Sequence, residues 1–371
     1  LGAMKKVEAR DDSTVVFTLA APNDVTFPQV LATSAGPIVD EETYPADKVL
    51  DDAAAVKAQG FSGPYTIGSY KKNELAEFTR NKDYDGAFGT PKNDAVTLTY
   101  YADANNLKLD VQNGKIDVAW RSLTPTDIAS LEKADGVTVH QGDGGELRYI
   151  VFNLKTMPGD DDAQKTAIRQ AVASSIDRDE LSEQVYKGTY TPAYSAVPEG
   201  QTAATEAFKE LYGEKPDVDK AKAFLDEAGV ATPVELNLQY NPDHYGSNSD
   251  QEYAMVKRQL EATKLFTVNL QSTEWTTYSE ERVKDAYPMY QLGWFPDFPD
   301  PDTLLDTERT ESDASARAKT LGEVQERVAQ QVPILPLLTG SQVAVSGDDV
   351  EGVDDTLDAS FKFRFASLSK G

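Results

Sequence analysis

The sequence predicts an α/β protein built from more than one domain. Strand-like and helix-like runs alternate between positions 95 and 345, the pattern of an α/β chain. At 371 residues the chain exceeds one ordinary core, so two or three domains are expected. No Gly/Ser-rich linker interrupts it, which predicts domains joined by crossing strands, with a cleft between them.

The elements follow in order. Val15-Val-Phe-Thr-Leu19 is β-branched and aromatic, with polar Asp11 to Thr14 before it and Ala-Ala-Pro22 after it, so it reads as a strand. The stretch Asp40 to Ala58 is acidic and alanine-rich and reads as a loop. Val96-Thr-Leu-Thr-Tyr100 alternates with period two, as a half-buried strand does. Val137-Thr-Val139, Tyr149 to Leu154, Val234 to Tyr240, Phe266 to Leu270 and Phe361 to Phe365 repeat that signal, and Gly142 to Gly145 reads as a turn between the first two. Asp177 with Glu180, and Ser249 with Glu252, have capping-box spacing at helix starts. The first helix runs through Leu181 and Val185 to near Gly188. Asp217 caps a helix with Ala221, Phe224, Leu225 and Ala228 on one face, stopped by Gly229. Ala314, Ala318, Leu321, Val324 and Val328 trace the stripe of another. Prolines then hold Gln331 to Leu338 extended.

Charge and composition narrow the chemistry. Acids outnumber bases 62 to 36, for a net charge of −26, which repels phosphate backbones and excludes nucleic acid as an expected partner. There is no cysteine, so disulfides, thiol catalysis and cysteine metal sites are excluded. His140 and His244 lie far apart without metal-ligand spacing. No apolar run is long enough to span a membrane. Leu1 to Asp12 has no apolar segment of an export signal and begins inside an element, which predicts a further portion upstream. Phosphate-loop, dinucleotide and zinc-helix motifs are absent.

The stretch Gln291-Leu-Gly-Trp-Phe-Pro-Asp-Phe-Pro-Asp-Pro-Asp-Thr-Leu-Leu305 joins aromatics, prolines and carboxylates behind an apolar strand. A rigid surface turn is the plain reading, and a pocket with one fixed negative charge beside apolar walls is the sharper one. Asp297, Asp300 and Asp302 lack the spacing of a calcium loop. Paired carboxylates acting as acid and base remain an alternative. Trp120, Trp275 and Trp294 each adjoin a strand-like run, where open α/β sheets place ligands, although large aromatics also fill cores.

Five stretches, in order, resemble the extracytoplasmic solute-binding proteins of family 5, the peptide receptors of ABC importers. They are Asp12-Ser-Thr-Val-Val-Phe-Thr-Leu-Ala-Ala-Pro22; Ser62-Gly-Pro-Tyr-Thr-Ile67 with Arg80-Asn-Lys-Asp-Tyr84; Asn113-Gly-Lys-Ile-Asp-Val-Ala119; Phe152-Asn153 through Ile168-Arg-Gln-Ala171 and Ile176-Asp-Arg178; and Glu274-Trp275 with Gly293-Trp-Phe-Pro-Asp297. The resemblance implies a periplasmic-binding-protein-like class II α/β fold, two lobes around a ligand cleft with an extra subdomain in lobe I. It places residues 1–58 in the small subdomain of lobe I, 59–154 in the main lobe I sheet, 155–339 in lobe II, and 340–371 on the return to lobe I. It implies a monomeric, non-catalytic receptor outside the cytoplasm, periplasmic or lipid-anchored, without cofactor or metal. Its implied partners are a peptide-like small molecule and the membrane permease subunits of an importer.

By the same resemblance, Asp297 takes the position that binds a ligand's α-ammonium, and Trp294 and Phe295 line that pocket. Tyr149, Asn153 and Trp120 face the cleft from strand ends, and Trp275 forms a wall. Asp300 and Asp302 are left to loop solvation. Relatives carry further sequence before the position of Leu1 and between Asp302-Thr-Leu-Leu305 and the segment opening at Glu308, which leaves ligand size open. Missing sheet strands would expose edges and apolar surface, and predict aggregation or weak binding of the chain alone. Where dipeptide receptors hold the ligand carboxylate with an arginine, Asn241 to Asn248 has none and offers His244. Longer or different ligands follow. Nickel chelates, sugars or opines, a hydrolase using Asp297 and Asp300, and a receptor without transport stay as alternatives.

Overall fold

The computed structural model describes residues 2–298, 300–301, 309–358 and 360–371. Asp302, Thr303 to Leu305 and Glu308 therefore lie outside the described residues. The strands are β1 (Met4–Asp11), β2 (Thr14–Leu19), β3 (Tyr65–Lys71), β4 (Leu75–Arg80), β5 (Ala95–Thr99), β6 (Val118–Trp120), β7 (Val137–Phe152), β8 (Tyr190–Pro192), β9 (Val234–Tyr240), β10 (Phe266–Ser272), β11 (Met289–Trp294), β12 (Ile334–Gly347), β13 (Val350–Glu351) and β14 (Ser369–Lys370). The chain divides into two compact units, one of residues 1–30 and 143–341, the other of 31–142 and 342–371. It passes from one to the other between residues 30 and 31, inside β7 and inside β12.

In the first unit the strands run in the order β10-β9-β11-β7-β12, with β8 also on β12. β9, β10 and β11 are parallel, and β11 meets β7 antiparallel, Leu292 opposite Tyr149 and Trp294 opposite Leu147. Period-two alternation then sorts the side chains by face. Ile150, Phe152 and Met289 join the main core with helices Asp162–Ala173, Val218–Glu227 and Ser249–Ala262. Leu147 and Tyr149 form a separate cluster with Ala193, against which Val151, Leu292 and Trp294 pack. Each fully buried aliphatic side chain stabilises by about 1.5–3 kcal/mol, so the main core dominates this unit. A hairpin of β1 and β2 belongs here too.

The second unit holds the sheet β3-β4-β5, the pairs β12–β6 and β13–β14, and helices Asp52–Ala58, Ala104–Gln112 and Pro125–Leu131. His140 bonds Asp354 at 2.8 Å and Ser346 at 3.0 Å, a structural role.

Several local expectations change. Gly142 to Gly145 is no turn but the middle of the 16-residue β7. A Cβ on Gly144 would lie 1.6 Å from Gly340 O, and one on Gly142 would lie 2.1 Å from Leu357 O, so close backbone approach explains these glycines. Phe361 to Phe365 is not a strand; the rings instead pack on Trp120, Tyr65 and Phe78, ending in the short helix Phe365–Ser367. Part of the acidic stretch is helix, Asp52–Ala58, capped by Asp51. Asp177 does cap its helix, but that helix tightens only to Glu180 and widens to a π-turn over Leu181–Val185.

Two corrections share one cause. Ser249 and Glu252 do not form a capping box, because both turn inward: Ser249 accepts a bond from Gln291, and Glu252 is wholly buried beside Arg148. The buried stripe of Ala314–Gln331 is Arg317, Leu321, Gln325 and Ala329 rather than the alanine–valine row. Polar side chains enter both interiors because each finds a bonded partner there, and hydrophobic patterning does not register that.

Candidate functional site

The first unit gathers aromatic rings beyond the ends of its parallel strands. After β9, Asn241 organises the turn. Its N–H donates to Gln291 Oε1 at 2.8 Å, and its Nδ2 donates to Asp243 Oδ1 at 2.7 Å and to Thr273 O at 3.0 Å. Its Oδ1 accepts from His244 N at 2.6 Å. After β10, Glu274 caps the helix Trp275–Glu281, accepting from Thr276 N at 2.8 Å and Thr277 N at 2.7 Å. Hydrogen bonds from Thr277 and then Thr276 bring its carboxyl down to about 2, so the cap is charged at neutral pH.

These two turns place the His244 ring flat on Trp275, with centroids 3.6 Å apart and planes 3° apart. Tyr245 meets Trp275 edge-on at 5.6 Å. Tyr278 stacks beyond it, with Tyr287 and Tyr290 next in line. Burial lowers the His244 pKa, with Asp243 opposing, so the neutral ring is favoured against the indole. The folded state thus holds this proton less tightly than the unfolded chain. Stability should fall as pH drops through 6.5 and recover above it. An NMR titration should give His244 a midpoint below 6.5; one at or above that value would contradict the stacked, partly desolvated ring.

The turn after β11 is anchored at both ends. At its start Trp294 pairs with Leu147 and packs on the Leu147–Tyr149 cluster. Burial pushes the Tyr149 phenol up, so it remains a neutral group. At the other end Asp300 is 6% exposed, and Arg317 holds it with bonds of 2.6 and 3.2 Å, joined by Gln29 at 3.2 Å. The expectation that Asp300 only solvates the loop is therefore corrected. Its charge is buried and matched by a fork of guanidinium donors, which also leaves it unsuited to acid–base work. Between the anchors, Phe295 is 44% exposed and Asp297 is exposed. The Asp297 carboxylate makes no hydrogen bond or ion pair with the described residues, so it is available to a ligand.

Next to this turn Arg148 centres a buried polar network in which Glu252 Oε1 is left without a partner among the described residues. Arg148 Nε donates to Glu146 at 3.0 Å, and its Nη1 donates to Tyr186 at 2.8 Å and Glu252 at 3.3 Å. Its Nη2 donates to Tyr190 at 3.0 Å and to the Tyr245 carbonyl. Tyr186 and Tyr190 in turn donate to Glu252 at 2.6 Å and Glu146 at 2.7 Å. Gly293 lies opposite Arg148 in the sheet, and a Cβ there would strike the Tyr245 ring at 2.8 Å. The glycine of the Gly-Trp pair is what lets the aromatic turn approach β11.

The expected site residues do not all meet. Trp294, Phe295, Asp297, Tyr149, Trp275 and His244 belong to the first unit. Asn153 follows β7 there, but its amide is engaged with Asp285 at 3.0 Å. Trp120 belongs to the second unit, its ring 5.0 Å from Phe363 and covered by Arg121 at 4.5 Å. Tyr245, Tyr278 and Tyr290 were missed, and the run of tyrosines around Trp275 was the signal available. Among the described residues no group of acids and histidines could hold a metal, and no helix is long and apolar enough to cross a membrane.

Comparison with known proteins adds three findings. The family description "Bacterial extracellular solute-binding proteins, family 5 Middle" matches residues 2–316. The dipeptide-binding protein DppE of Bacillus subtilis is 22% identical over 94% of this chain and 67% of its own length, and the di/tripeptide-binding protein 1 of Pseudomonas aeruginosa is 25% identical over 90% and 65%. This chain thus spans about two thirds of those relatives. The solved ABC transporter substrate-binding protein CtaP of Listeria monocytogenes superposes with a TM-score of 0.81 at 23% identity, covering 98% of this chain and 77% of that one.

Proposed function

The chain belongs to the bacterial extracellular solute-binding proteins of family 5, and from that membership we propose that it binds peptides or peptide-like solutes outside the cytoplasm for delivery to the permease subunits of an ABC importer. The observation that carries this reading is Asp297. Among the described residues its carboxylate stands unpaired, on a turn fixed by the Trp294 pairing and by the Asp300–Arg317 pair. A peptide's α-ammonium offers it a charge-assisted hydrogen bond, and Trp294 and Phe295 supply apolar surface beside it. Tyr149, Trp275 and His244 extend that surface, with Asn153 and Trp120 as outer candidates. The stacked His244 ring is neutral and carries no fixed positive charge for a ligand carboxylate, which favours ligands not limited to dipeptide length. We propose residues 155–339 as the inserted lobe, 59–154 and 340–371 as the main lobe I sheet and 1–58 as the rest of lobe I; the compact units group residues 1–30 and 143–154 with 155–339 instead.

Calorimetry with a mixed-sequence peptide pool checks the reading. Peptides with free amino termini should bind, and the same pool acetylated at the amino terminus should lose most of its affinity. Equal binding of both pools would remove the ammonium anchor. Cleavage products by mass spectrometry would reinstate the hydrolase.

A further inference from the structure

The first unit holds a cavity of about 380 Å³ that includes none of the site residues named above. Pro192, Ala193, Val197, Pro198 and Ala204 give it apolar walls. Ala193 also belongs to the Leu147–Tyr149 cluster on which Trp294 packs, so the cavity and the turn after β11 share one wall. Across the sheet, β8 lies three strand steps from β11, by way of β7 and β12. At about 4.8 Å per step that is roughly 14 Å, the length of about four residues of extended chain.

The polar groups of the cavity differ in what they still lack. Gln201 Nε2 is buried without a hydrogen-bond partner among the described residues. The hydroxyls already donate inward, Ser195 and Thr205 to Gln325 Oε1 and Thr339 to Glu146 O at 2.8 Å. Ser195 also accepts from Val197 N at 3.1 Å, whereas Thr205 and Thr339 keep their acceptor lone pairs. One open donor and two hydroxyl acceptors are the complement of a carboxamide, with its carbonyl and its NH₂ group. A carboxylate fits poorly. Among the described residues the lining includes Glu199 and Glu206 but no lysine or arginine. Glu206 is answered by Lys209 at 3.0 Å, and Glu199 is exposed and unpaired among the described residues. An aliphatic or ammonium group would leave the buried Gln201 N–H without an acceptor, which is unfavourable.

We propose that this cavity is a side-chain subsite for glutamine or asparagine, at about the fourth or fifth residue of a peptide whose amino terminus meets Asp297. It rests on the receptor reading above and adds to it a position and a chemistry. Gln201 then sets the specificity, because it supplies the one buried side-chain donor left open there among the described residues.

Calorimetry tests this with a free-amino alanine hexapeptide and with glutamine, leucine, glutamate or lysine replacing one residue at a time. Glutamine at the fourth or fifth residue should bind about 3- to 10-fold tighter than leucine, glutamate or lysine at the same place, the range of one neutral hydrogen bond. Gln201→Leu should abolish that preference. Gln201→Glu should turn it toward lysine, and the scan of the parent protein stands by itself if neither variant folds. Absence of a glutamine preference at those two residues, or a preference that the folded variants retain, overturns the subsite. An alanine host that does not bind overturns the receptor reading and the subsite with it, whereas a host that binds without amide preference overturns the subsite alone.

Discussion

Asp297→Asn should weaken binding of a free-ammonium peptide by about 10- to 150-fold, the range for a hydrogen bond to a charged group. The size decides between two pictures of the site. An ion pair left in contact with water is worth about 0–1 kcal/mol, less than about sixfold. A pair covered by the bound ligand and its apolar surroundings reaches the larger figure. Asp297 is exposed without ligand, so the substitution removes no internal bond of the protein among the described residues. Stability should therefore hold within about 0.5 kcal/mol, and the loss should appear in affinity alone. Calorimetry and a melting curve on the same preparation separate the two. Affinity within about threefold of the parent would leave Asp297 as an ordinary surface acid.

The largest stability effect should come from Arg148→Met. Removing this guanidinium leaves Glu252, which is 0% exposed, and Glu146, which is 5% exposed, without their shared cation. Breaking a buried pair in this way costs about 3–5 kcal/mol. Burial alone would lower the Arg148 pKa, but Tyr186, Tyr190, Glu146 and Glu252 together hold it above the usual value. Burial raises the Glu252 carboxyl above 4.5, against the opposing pull of Arg148. The sign follows: a carboxyl that holds its proton more tightly when folded loses stability as pH rises through the interval above 4.5. Without Arg148 that interval widens upward. The cost of Arg148→Met should be smaller near about pH 5 than near about pH 8, and Arg148→Met with Glu146→Gln and Glu252→Gln should recover part of it. Urea unfolding followed by tryptophan fluorescence measures each. A cost under about 1 kcal/mol, flat with pH, would mean that the network carries no charge.

The backbone plan was legible because it rests on local rules. Val234 to Tyr240 and Phe266 to Leu270 were readable as strands from β-branched and aromatic alternation, and Asp217 and Gly229 marked both ends of one helix. Local rules failed where a distant partner overrode them. Ser249 and Glu252 have the spacing of a cap, yet Gln291 and Arg148 draw them inward. Asp300 reads as loop polarity until Arg317 is placed beside it. Gly142 and Gly144 read as a turn, although they mark backbone packed on backbone. The aromatic array was half legible: Trp275 and His244 were candidates, but nothing in their spacing announced rings stacked 3.6 Å apart.

The amino-acid sequence by itself determined the α/β class and the family, since periodicity, capping and an ordered set of motifs are properties of neighbours along the chain; Asp297 is the anchor that the family resemblance proposes. Tertiary structure alone decided which acid is available. Asp297 and Asp300 are three residues apart on one stiff turn, and composition treats them alike. Only the arrival of Arg317 from the helix Ala314–Gln331 buries and neutralises Asp300, leaving Asp297 unpaired among the described residues. A carboxylate's role depends on the charges and solvent around it, and those are fixed by residues far away in sequence.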